Sequence, residues 1–391
     1  MAIPITGRLK QLAGKTCLIR VDFNCPLADG GVADGTRIDR VLPGLKQLAE
    51  AGAGLVLISH LGRPKGKVIP KFSLAPVCDY LSEALGYVVP LVPLDKTGQR
   101  PTAGQIIMLE NLRFWPEEEA NDEQFAKKLA GLADVYVNDA FSCAHRAHAS
   151  TYAVAQQLPC FSGPVMAAEL DALSAALYEP QRPVAAVVGG AKVSTKLAVL
   201  ENLIEKVDIL FLGGGMANTF LAAKGEYMGA SLLEPELVET AAGILLKAER
   251  LGCRLMLPED GLAATALSVD VPHRNILNKD ISASEMMLDI GPKAIDRYKQ
   301  ALEEVRTVLW NGPMGAFEVS PFDTATVTLA QTVAEATEAG RIISVAGGGD
   351  TVAALNHAAV AEKFSYVSLA GGAFLEYIEG KTLPGVAVLS A

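Results

Sequence analysis

Short apolar runs rich in valine, isoleucine and leucine alternate along this chain with longer amphipathic stretches such as 41–51 and 121–133. This alternation is typical of βα units, in which each strand is followed by a helix that packs on the sheet. The runs are continuous rather than interrupted by polar residues, as expected for strands covered by helices on both faces. The pattern therefore predicts an α/β fold with mainly parallel sheets. The predicted strands are 15–23, 54–59, 106–109, 135–137, 184–188, 208–212, 254–257, 307–310, 341–346 and 364–369.

The length of the chain indicates two domains, because 391 residues exceed what one hydrophobic core usually organises. No Gly/Ser-rich linker marks a boundary. The segment 163–178 (GPVMAAELDALSAALY) predicts a helix with Pro164 in its first turn, and we place the join there. We expect an N-terminal domain of residues 1–170 and a C-terminal domain of residues 171–376, joined by this helical hinge.

Composition and charge argue against several classes of protein. Half of the residues are hydrophobic and 20% are charged, which suits a compact core rather than a disordered chain. The net charge of −10 would repel a phosphate backbone, so we expect no nucleic-acid partner. No stretch approaches the ~20 apolar residues that span a bilayer, so we expect no membrane association. The six cysteines form no C-x-x-C pair, and reduced thiols in the cytoplasm fit this spacing.

Glycine clusters follow five of the predicted strands in the second half. Ligands bind at the carboxyl ends of parallel strands, where loops and helix N-termini meet. A single cluster often serves only a tight turn, but five at one edge favour a nucleotide. None of them matches Gly-x-x-x-x-Gly-Lys-Ser/Thr or Gly-x-Gly-x-x-Gly. The clusters include Gly189, Gly213, Gly312, Gly347 and Gly371.

Charged residues accompany these glycines. Lys192 and Lys196 are four residues apart, and we expect them on one face of the first turns of a helix, suited to phosphate oxygens. The alternative is a solvated lysine pair. Asp350 could hold Mg²⁺ through its carboxylate or cap the helix that begins near Thr351, and the spacing does not separate these two roles.

The first half carries cations instead of glycines at its strand ends. Arginine forks match carboxylate and phosphate oxygens, so a group of them suits a small polyanion, whereas a single one is more often in a surface ion pair. His60, His145 and His148 lie in the same segments, and their spacing does not indicate zinc. Five of the eight arginines in residues 1–180 lie at or just beyond these strand ends: Arg20, Arg37, Arg63, Arg113 and Arg146.

Longer motifs carry a family resemblance. They are, in order, VDFNCPL, SHLGRPKG, ENLRFWPEEE, LADVYVNDAF, AHRAHAS, VVGGAKVSTK, LGGGMANTFL, LDIGPKA, LWNGPMGAFE, GGGDT and EGKTLPGV. In these segments the chain closely resembles the phosphoglycerate kinase family along essentially its whole length. The resemblance implies two Rossmann-like lobes, with 3-phosphoglycerate or 1,3-bisphosphoglycerate on the first and Mg-ATP or Mg-ADP on the second. It also implies that the tail, residues 377–391, returns to the first lobe, and that the protein is a monomer.

The implied reaction is reversible phosphoryl transfer between 1,3-bisphosphoglycerate and ADP, giving 3-phosphoglycerate and ATP, by in-line transfer after hinge closure. In the ATP-consuming direction the acceptor is a carboxylate that is already ionised at pH 7, so the reaction needs charge cancellation and positioning rather than a general base. Two other functions stay open on the residues alone. These are an NAD-dependent dehydrogenase, which the absent Gly-x-Gly-x-x-Gly disfavours, and a non-catalytic hinged anion-binding protein, which leaves Lys192, Lys196 and Asp350 unexplained.

The resemblance also assigns residues to each ligand. Those implied to bind phosphoglycerate are Arg20, Asp22, Phe23, Asn24, Arg37, His60, Leu61, Gly62, Arg63, Arg113, His145 and Arg146. Those implied to bind nucleotide are Gly189, Lys192, Lys196, Gly213, Gly214, Leu288, Asn311, Gly312, Pro313, Glu318, Gly347, Gly348, Gly349, Asp350 and Thr351. Asp350 is the implied magnesium ligand, and the implied catalytic residues are Arg37, Lys192, Gly348 and Gly371.

The chain departs from the usual family pattern at three places. Residues 368–370 read Ser-Leu-Ala rather than Ser-Thr-Gly, and residues 324–326 read Thr-Ala-Thr rather than Lys-Gly-Thr. Ser142 and Cys143 replace a usual Gly-Thr pair. The implied charged residues all remain, so we expect retuned affinity rather than an inactive enzyme. Cys143 is either an oxidation-sensitive thiol near the basic segments or an inert buried one.

Overall fold

The computed structural model describes residues 3–96 and 100–390. The chain forms two compact units, one of Met1–Leu170 with Thr382–Ala391 and the other of Asp171–Lys381. The division falls inside the helix Pro164–Leu177. Residues 377–381, which the resemblance grouped with the returning tail, lie in the second unit. Residues 377 and 378 end the helix Gly372–Ile378, and residues 379–381 come directly after it. Asn202 holds the end of this helix by donating a 2.8 Å hydrogen bond to the carbonyl oxygen of Ile378.

Strands and α-helices are numbered in chain order. The strands are β1 Thr16–Arg20, β2 Leu27–Ala28, β3 Gly31–Val32, β4 Gly54–Ile58, β5 Leu91–Val92, β6 Ile106–Leu109, β7 Val135–Asn138, β8 Cys160–Ser162, β9 Val184–Val188, β10 Ile209–Leu212, β11 Arg254–Met256, β12 Asp260–Ala264, β13 His273–Leu277, β14 Met286–Ile290, β15 Thr307–Asn311, β16 Ile343–Gly347 and β17 Tyr366–Ser368. The helices are α1 Thr36–Glu50, α2 Ala75–Leu85, α3 Pro116–Glu119, α4 Glu123–Ala130, α5 Pro164–Leu177, α6 Leu197–Leu203, α7 Gly214–Ala223, α8 Val238–Leu251, α9 Pro292–Glu304, α10 Thr324–Glu338, α11 Gly349–His357, α12 Gly372–Ile378 and α13 Pro384–Ala387.

A six-stranded parallel sheet in the order β5-β6-β4-β1-β7-β8 organises the described part of the first unit. Every residue of β1, β4 and β7 is buried, because helices cover both faces of the central strands. Helix α1 shows why its sequence is helical: Ile38, Val41, Leu45 and Leu48 recur at three- and four-residue spacing and form its buried face. The central strands thus have the burial that their continuous apolar runs predict.

The second unit repeats this architecture in its own sheet, ordered β11-β10-β9-β15-β16-β17 and also parallel. Strands β9 and β15 are buried throughout, and the strand order reverses between them. In open parallel sheets such a reversal is the usual place for a ligand, at the carboxyl ends of the strands. A smaller antiparallel sheet, β13-β12-β14, and a short hairpin, β2-β3, complete the described strand pairing. The predicted α/β class with two mainly parallel sheets is confirmed.

Among the described residues, no helix combines the length and apolar character needed to cross a bilayer.

Candidate active site

The carboxyl edge of the first sheet holds an aspartate that gathers hydrogen bonds from three loops. Asp22 follows β1, and its Oδ2 accepts hydrogen bonds from Arg37 and, at 2.5 Å, from the hydroxyl of Ser142. Its Oδ1 accepts from the backbone N–H of Asn24 at 3.2 Å. Burial alone would raise the pKa of Asp22, but the neighbouring positive charges and the Ser142 hydrogen bond outweigh burial and lower it. Asp22 is therefore an anchor for Arg37, whose side chain remains 34% exposed.

Two further loops are tied to the same edge. The N–H of Gly62, after β4, donates to Oδ1 of Asn24 at 2.8 Å, and the Gly62 carbonyl accepts from Arg113 at 2.8 Å. Asn111 donates to the carbonyl of Leu61 at 2.7 Å. These bonds join the loops that follow strands β1, β4 and β6. The loop that contains Arg63 is therefore held by hydrogen bonds to the two neighbouring loops.

Arg20 has a different environment from the other arginines of this edge, since it is only 1% exposed. Its Nε donates to the hydroxyl of Ser150 at 2.9 Å, its Nη1 to the carbonyl of Val21, and its Nη2 to Nδ1 of His60 at 3.0 Å. Ser150 in turn donates through its hydroxyl to the buried carboxylate of Glu118 at 2.5 Å. All three guanidinium nitrogens thus donate hydrogen bonds to protein groups. In this structure Arg20 is a buried residue that stabilises the loops of this edge.

His60, Asp22 and Cys143 bring one nitrogen, one oxygen and one sulfur within 4.8 Å of one another, a donor set that could hold a metal. However, Nη2 of Arg20 lies 3.0 Å from His60 Nδ1 and 3.7 Å from Cys143 Sγ. The cation that this cluster already contacts is therefore a guanidinium. Burial and Arg20 lower the pKa of His60 well below its usual value, which keeps the ring neutral and able to accept that hydrogen bond. Burial raises the pKa of the Cys143 thiol, which favours the inert state over the reactive one.

The remaining predicted residues of this edge differ in exposure. Phe23 is fully buried and packs in the core, whereas Asn24, Arg63 and Arg146 are exposed. Arg146 Nε lies 3.2 Å from Nε2 of His145. The segment that carries this pair is held by the C-terminal residues, because the N–H of Gly385 donates to the carbonyl of Ala144 at 2.9 Å.

In the second unit the glycines of the strand ends divide into two kinds. A Cβ at Gly189 would lie 1.8 Å from the carbonyl oxygen of Pro313, so this glycine is required by the close approach of two loops. Gly213, Gly312 and Gly347 are crowded in the same way. Gly371 differs, since it has a φ of +54° and no atom within 4 Å of where a Cβ would lie. Open space in front of its backbone is what a phosphate would require.

The two lysines do not lie on a helix, and that prediction is wrong. Helix α6 begins at Leu197, and both Lys192 and Lys196 precede it. Glu234 anchors this loop, because its carboxylate accepts hydrogen bonds from both the N–H of Ser194, at 3.0 Å, and the Ser194 hydroxyl. Lys192 is exposed, whereas Lys196 is half-buried.

Lys196 donates from Nζ to the carbonyl oxygen of Asn311 at 2.7 Å, at the carboxyl end of β15. Burial lowers its pKa to about 8, and the charge of Asp350 opposes this shift. Asn311 donates through Nδ2 to the carbonyl of Gly347 at 2.7 Å, while its buried Oδ1 has no partner among the described atoms. Thr351 ties the same loops, because its hydroxyl accepts from the N–H of Gly312 at 2.8 Å.

Asp350 lies in the first turn of α11 and is exposed. The N-cap position of α11 is held by Gly348, so Asp350 is not the capping residue, which was one of the two roles left open by the sequence. Two other predicted residues lie earlier in the chain. Leu288 in β14 is half-buried and its carbonyl accepts from the N–H of Ala316 at 2.8 Å, and Glu318 is exposed. Gly214, Leu288 and Met314 share a small cavity of about 20 Å³.

Comparison with known proteins bears on this arrangement. The family model described as phosphoglycerate kinase matches residues 8–381. The chain belongs to the phosphoglycerate kinase family. It is 53% identical over 387 residues to the phosphoglycerate kinase of Granulibacter bethesdensis, covering 97% of this chain and 98% of that one. It is 52% identical to the phosphoglycerate kinase of Methylorubrum extorquens strain PA1, with 97% and 96% covered. The solved structure of phosphoglycerate kinase from Coxiella burnetii superimposes with a TM-score of 0.95 at 42% identity, covering 100% and 99%.

Membership of the phosphoglycerate kinase family makes the chain an enzyme, a phosphotransferase with a carboxyl group as acceptor. Neither the dehydrogenase nor the non-catalytic binding protein is supported.

Sequence reasoning missed the residues that support the site. Glu118 and Ser150 lie in motifs that carry the family resemblance, but the sequence assigned no role to them or to Glu234. They matter because the fold brings them to Arg20 or to the lysine loop. Ser142 was noticed only as a departure from the family pattern. No local pattern marks these contacts, since the partners lie 32 to 130 residues apart in the chain.

Proposed function

We propose that this chain catalyses reversible phosphoryl transfer between 1,3-bisphosphoglycerate and ADP, giving 3-phosphoglycerate and ATP. The observation that carries the proposal is the anchored cationic edge of the first unit. There Asp22 holds Arg37, and the side chains of Arg63 and Arg146 are exposed at the same sheet edge. Family membership supports the choice of substrates. Gly371, which faces open space, and the two lysines of the second unit support a nucleotide there.

Arg37 and Lys192 are the groups we assign to the transferring phosphoryl. The acceptor carboxylate is ionised at neutral pH, so the enzyme has to cancel charge and align two oxygens rather than remove a proton. Arg37 presents a planar fork of donors and Lys192 a mobile point charge, and both reach solvent. The backbone at Gly348 and Gly371 can add N–H donors without steric interference from a side chain. Transfer requires the two bound reactants to meet, and hinge closure remains a prediction.

Asp350 is the residue we assign to magnesium. Its carboxylate is exposed, the N-cap of its helix is Gly348, and the buried Oδ1 of Asn311 is an oxygen without a partner among the described atoms. Mg²⁺ is typically held by one or two carboxylates together with substrate phosphates, so the donor chemistry fits. When bound, the ion would supply positive charge to the nucleotide phosphates.

We also propose a cytoplasmic monomer with small-molecule partners only. The six cysteines are unpaired, which suits a reducing compartment. Family membership supports the monomer and the small-molecule partners. Sedimentation equilibrium tests the oligomeric state. A mass near twice 41.1 kDa would contradict the monomer.

A coupled assay tests the reaction itself. Purified chain is mixed with ATP, Mg²⁺ and 3-phosphoglycerate, and ADP formation is followed with and without the phosphoglycerate. We expect turnover that requires both 3-phosphoglycerate and Mg²⁺. ADP formation that is independent of 3-phosphoglycerate, or no turnover by folded protein, would contradict the proposal.

A further inference from the structure

We propose that Ser142 is a positioning residue that fixes Asp22, and through it Arg37, for binding and transfer of the phosphoglycerate. The inference rests on the proposed function. It concerns a residue at which this chain departs from the usual pattern of its family.

The geometry around Asp22 defines the role. Oδ2 of Asp22 accepts from both Ser142 and Arg37, so the serine hydroxyl and the guanidinium share one oxygen. The serine bond is 2.5 Å long and joins residues 120 positions apart in the chain. Ser142 lies in the 3₁₀ helix Phe141–Cys143, which follows β7, whereas Asp22 follows β1 and Arg37 lies in α1. One hydroxyl therefore connects the β7 loop to the carboxylate that holds Arg37.

The connection extends to the neighbouring loops. Oδ1 of Asp22 accepts from the N–H of Asn24, and Oδ1 of Asn24 accepts from the N–H of Gly62. A rotation of the Asp22 carboxylate would disturb both its oxygens at once. Removing the hydroxyl of Ser142 frees one side of Oδ2, and we expect the carboxylate and Arg37 to lose their fixed orientation together.

The neighbouring Cys143 does not perform this role. Its Sγ lies 3.7 Å from Nη2 of Arg20 and 3.7 Å from the Ser142 hydroxyl, so these two sulfur contacts are made with those groups and not with the Asp22 carboxylate. Hydrogen bonds to an ionised acceptor are roughly twice as strong as neutral ones, so the Ser142 contact is the one whose loss should be measurable.

The test is Ser142→Ala, with Ser142→Thr as the conservative variant. We expect kcat/KM for 3-phosphoglycerate to fall about tenfold in the alanine variant, the size expected for one hydrogen bond to a charged group. The KM for ATP should not change, because the nucleotide residues lie in the other unit. Threonine retains the hydroxyl and should restore most of the lost activity.

A pH profile gives a second readout. The Ser142 hydrogen bond is one of the interactions that lower the pKa of Asp22, so its loss should move the acidic limb of kcat/KM to higher pH. A residue that merely stabilised the fold would not move this limb. The variant retains the other charged and titratable side chains that face Asp22, which are Arg20, Arg37, His60, Cys25 and Cys143.

Ser73→Ala is the matched control, because Ser73 also donates to a carboxylate of the first unit, Glu110, at 2.8 Å. Its kinetics should stay near the starting values. Unchanged kcat/KM in folded Ser142→Ala, or an equal loss in Ser73→Ala, would overturn the inference.

If the alanine variant does not fold, Ser142→Gly takes its place. An inactive parent chain would count against the proposed function. The inference would then be tested by measuring the affinity for 3-phosphoglycerate by calorimetry. An unchanged affinity in the Ser142→Ala variant would refute the inference.

Discussion

Lys196, a half-buried residue of the second unit, gives the most quantitative prediction, because we expect its charge to affect both stability and activity. Burial lowers the pKa of Lys196 from 10.5 to about 8. At about 1.4 kcal/mol for each pKa unit, holding this lysine charged in the folded protein costs on the order of 3 kcal/mol. We therefore expect Lys196→Met to raise the free energy of unfolding at pH 7 by up to about 3 kcal/mol while removing nucleotide turnover.

The pH dependence follows from the same shift. Between about pH 8 and pH 10.5 the unfolded chain binds the lysine proton and the folded chain does not, so this group makes stability rise with pH in that window. Below pH 8 both states are protonated and its destabilising effect is constant. Activity should have the opposite dependence: a group with a pKa of about 8 is roughly nine-tenths charged at pH 7 and one-tenth charged at pH 9, so kcat/KM for MgATP should fall about tenfold between them.

Urea denaturation at pH 7 and steady-state kinetics from pH 6 to pH 9.5 check both effects. Lys363→Met is the control, because Lys363 lies in an exposed ion pair with Glu338, and its loss should change stability by less than about 1 kcal/mol. A Lys196→Met protein that is less stable than the parent, together with kcat/KM that stays flat to pH 9.5, would refute the reasoning.

Three further outcomes are expected. Arg37→Ala and Lys192→Ala should each lower kcat by at least ~100-fold in folded protein, and near-normal turnover would remove the role assigned to that residue. Gly189→Ala should destabilise the protein by more than about 2 kcal/mol in thermal unfolding, because the added Cβ meets a carbonyl oxygen at 1.8 Å, whereas Gly243→Ala in the exposed face of α8 should stabilise it by about 0.5–1 kcal/mol. Burial raises the pKa of Cys143, so iodoacetamide should label it slowly at pH 7, and rapid labelling with loss of activity would favour a reactive thiol.

The central strands could be predicted from sequence because helices bury both of their faces. The runs at 106–109 and 184–188 coincide with β6 and β9, since every position must be apolar there or nearly so. Strand β13 escaped prediction for the opposite reason: its first three residues are exposed and polar, and it is a strand because it pairs with β12. The two-residue β5 is too short to show a pattern.

The site was predictable in kind but not in detail. Glycines at strand ends predict a nucleotide at this edge, yet only the folded structure shows that Gly189 is needed by a neighbouring loop while Gly371 faces open space. Arginines at strand ends likewise indicated an anion site. The sequence could not show that the Arg20 guanidinium is hydrogen-bonded to other protein groups, because its partners Ser150 and His60 come from distant segments.

Amide chemical shifts of the isotope-labelled chain, measured with each ligand in turn, test the central claim that the two reactants bind to different units. We expect 3-phosphoglycerate to shift the signals of residues 22–24, 60–63 and 142–146, and MgADP to shift those of residues 189–196 and 347–351. If both ligands shift the same set of signals, or if 3-phosphoglycerate leaves the loop after β1 unmoved at saturation, the account is contradicted.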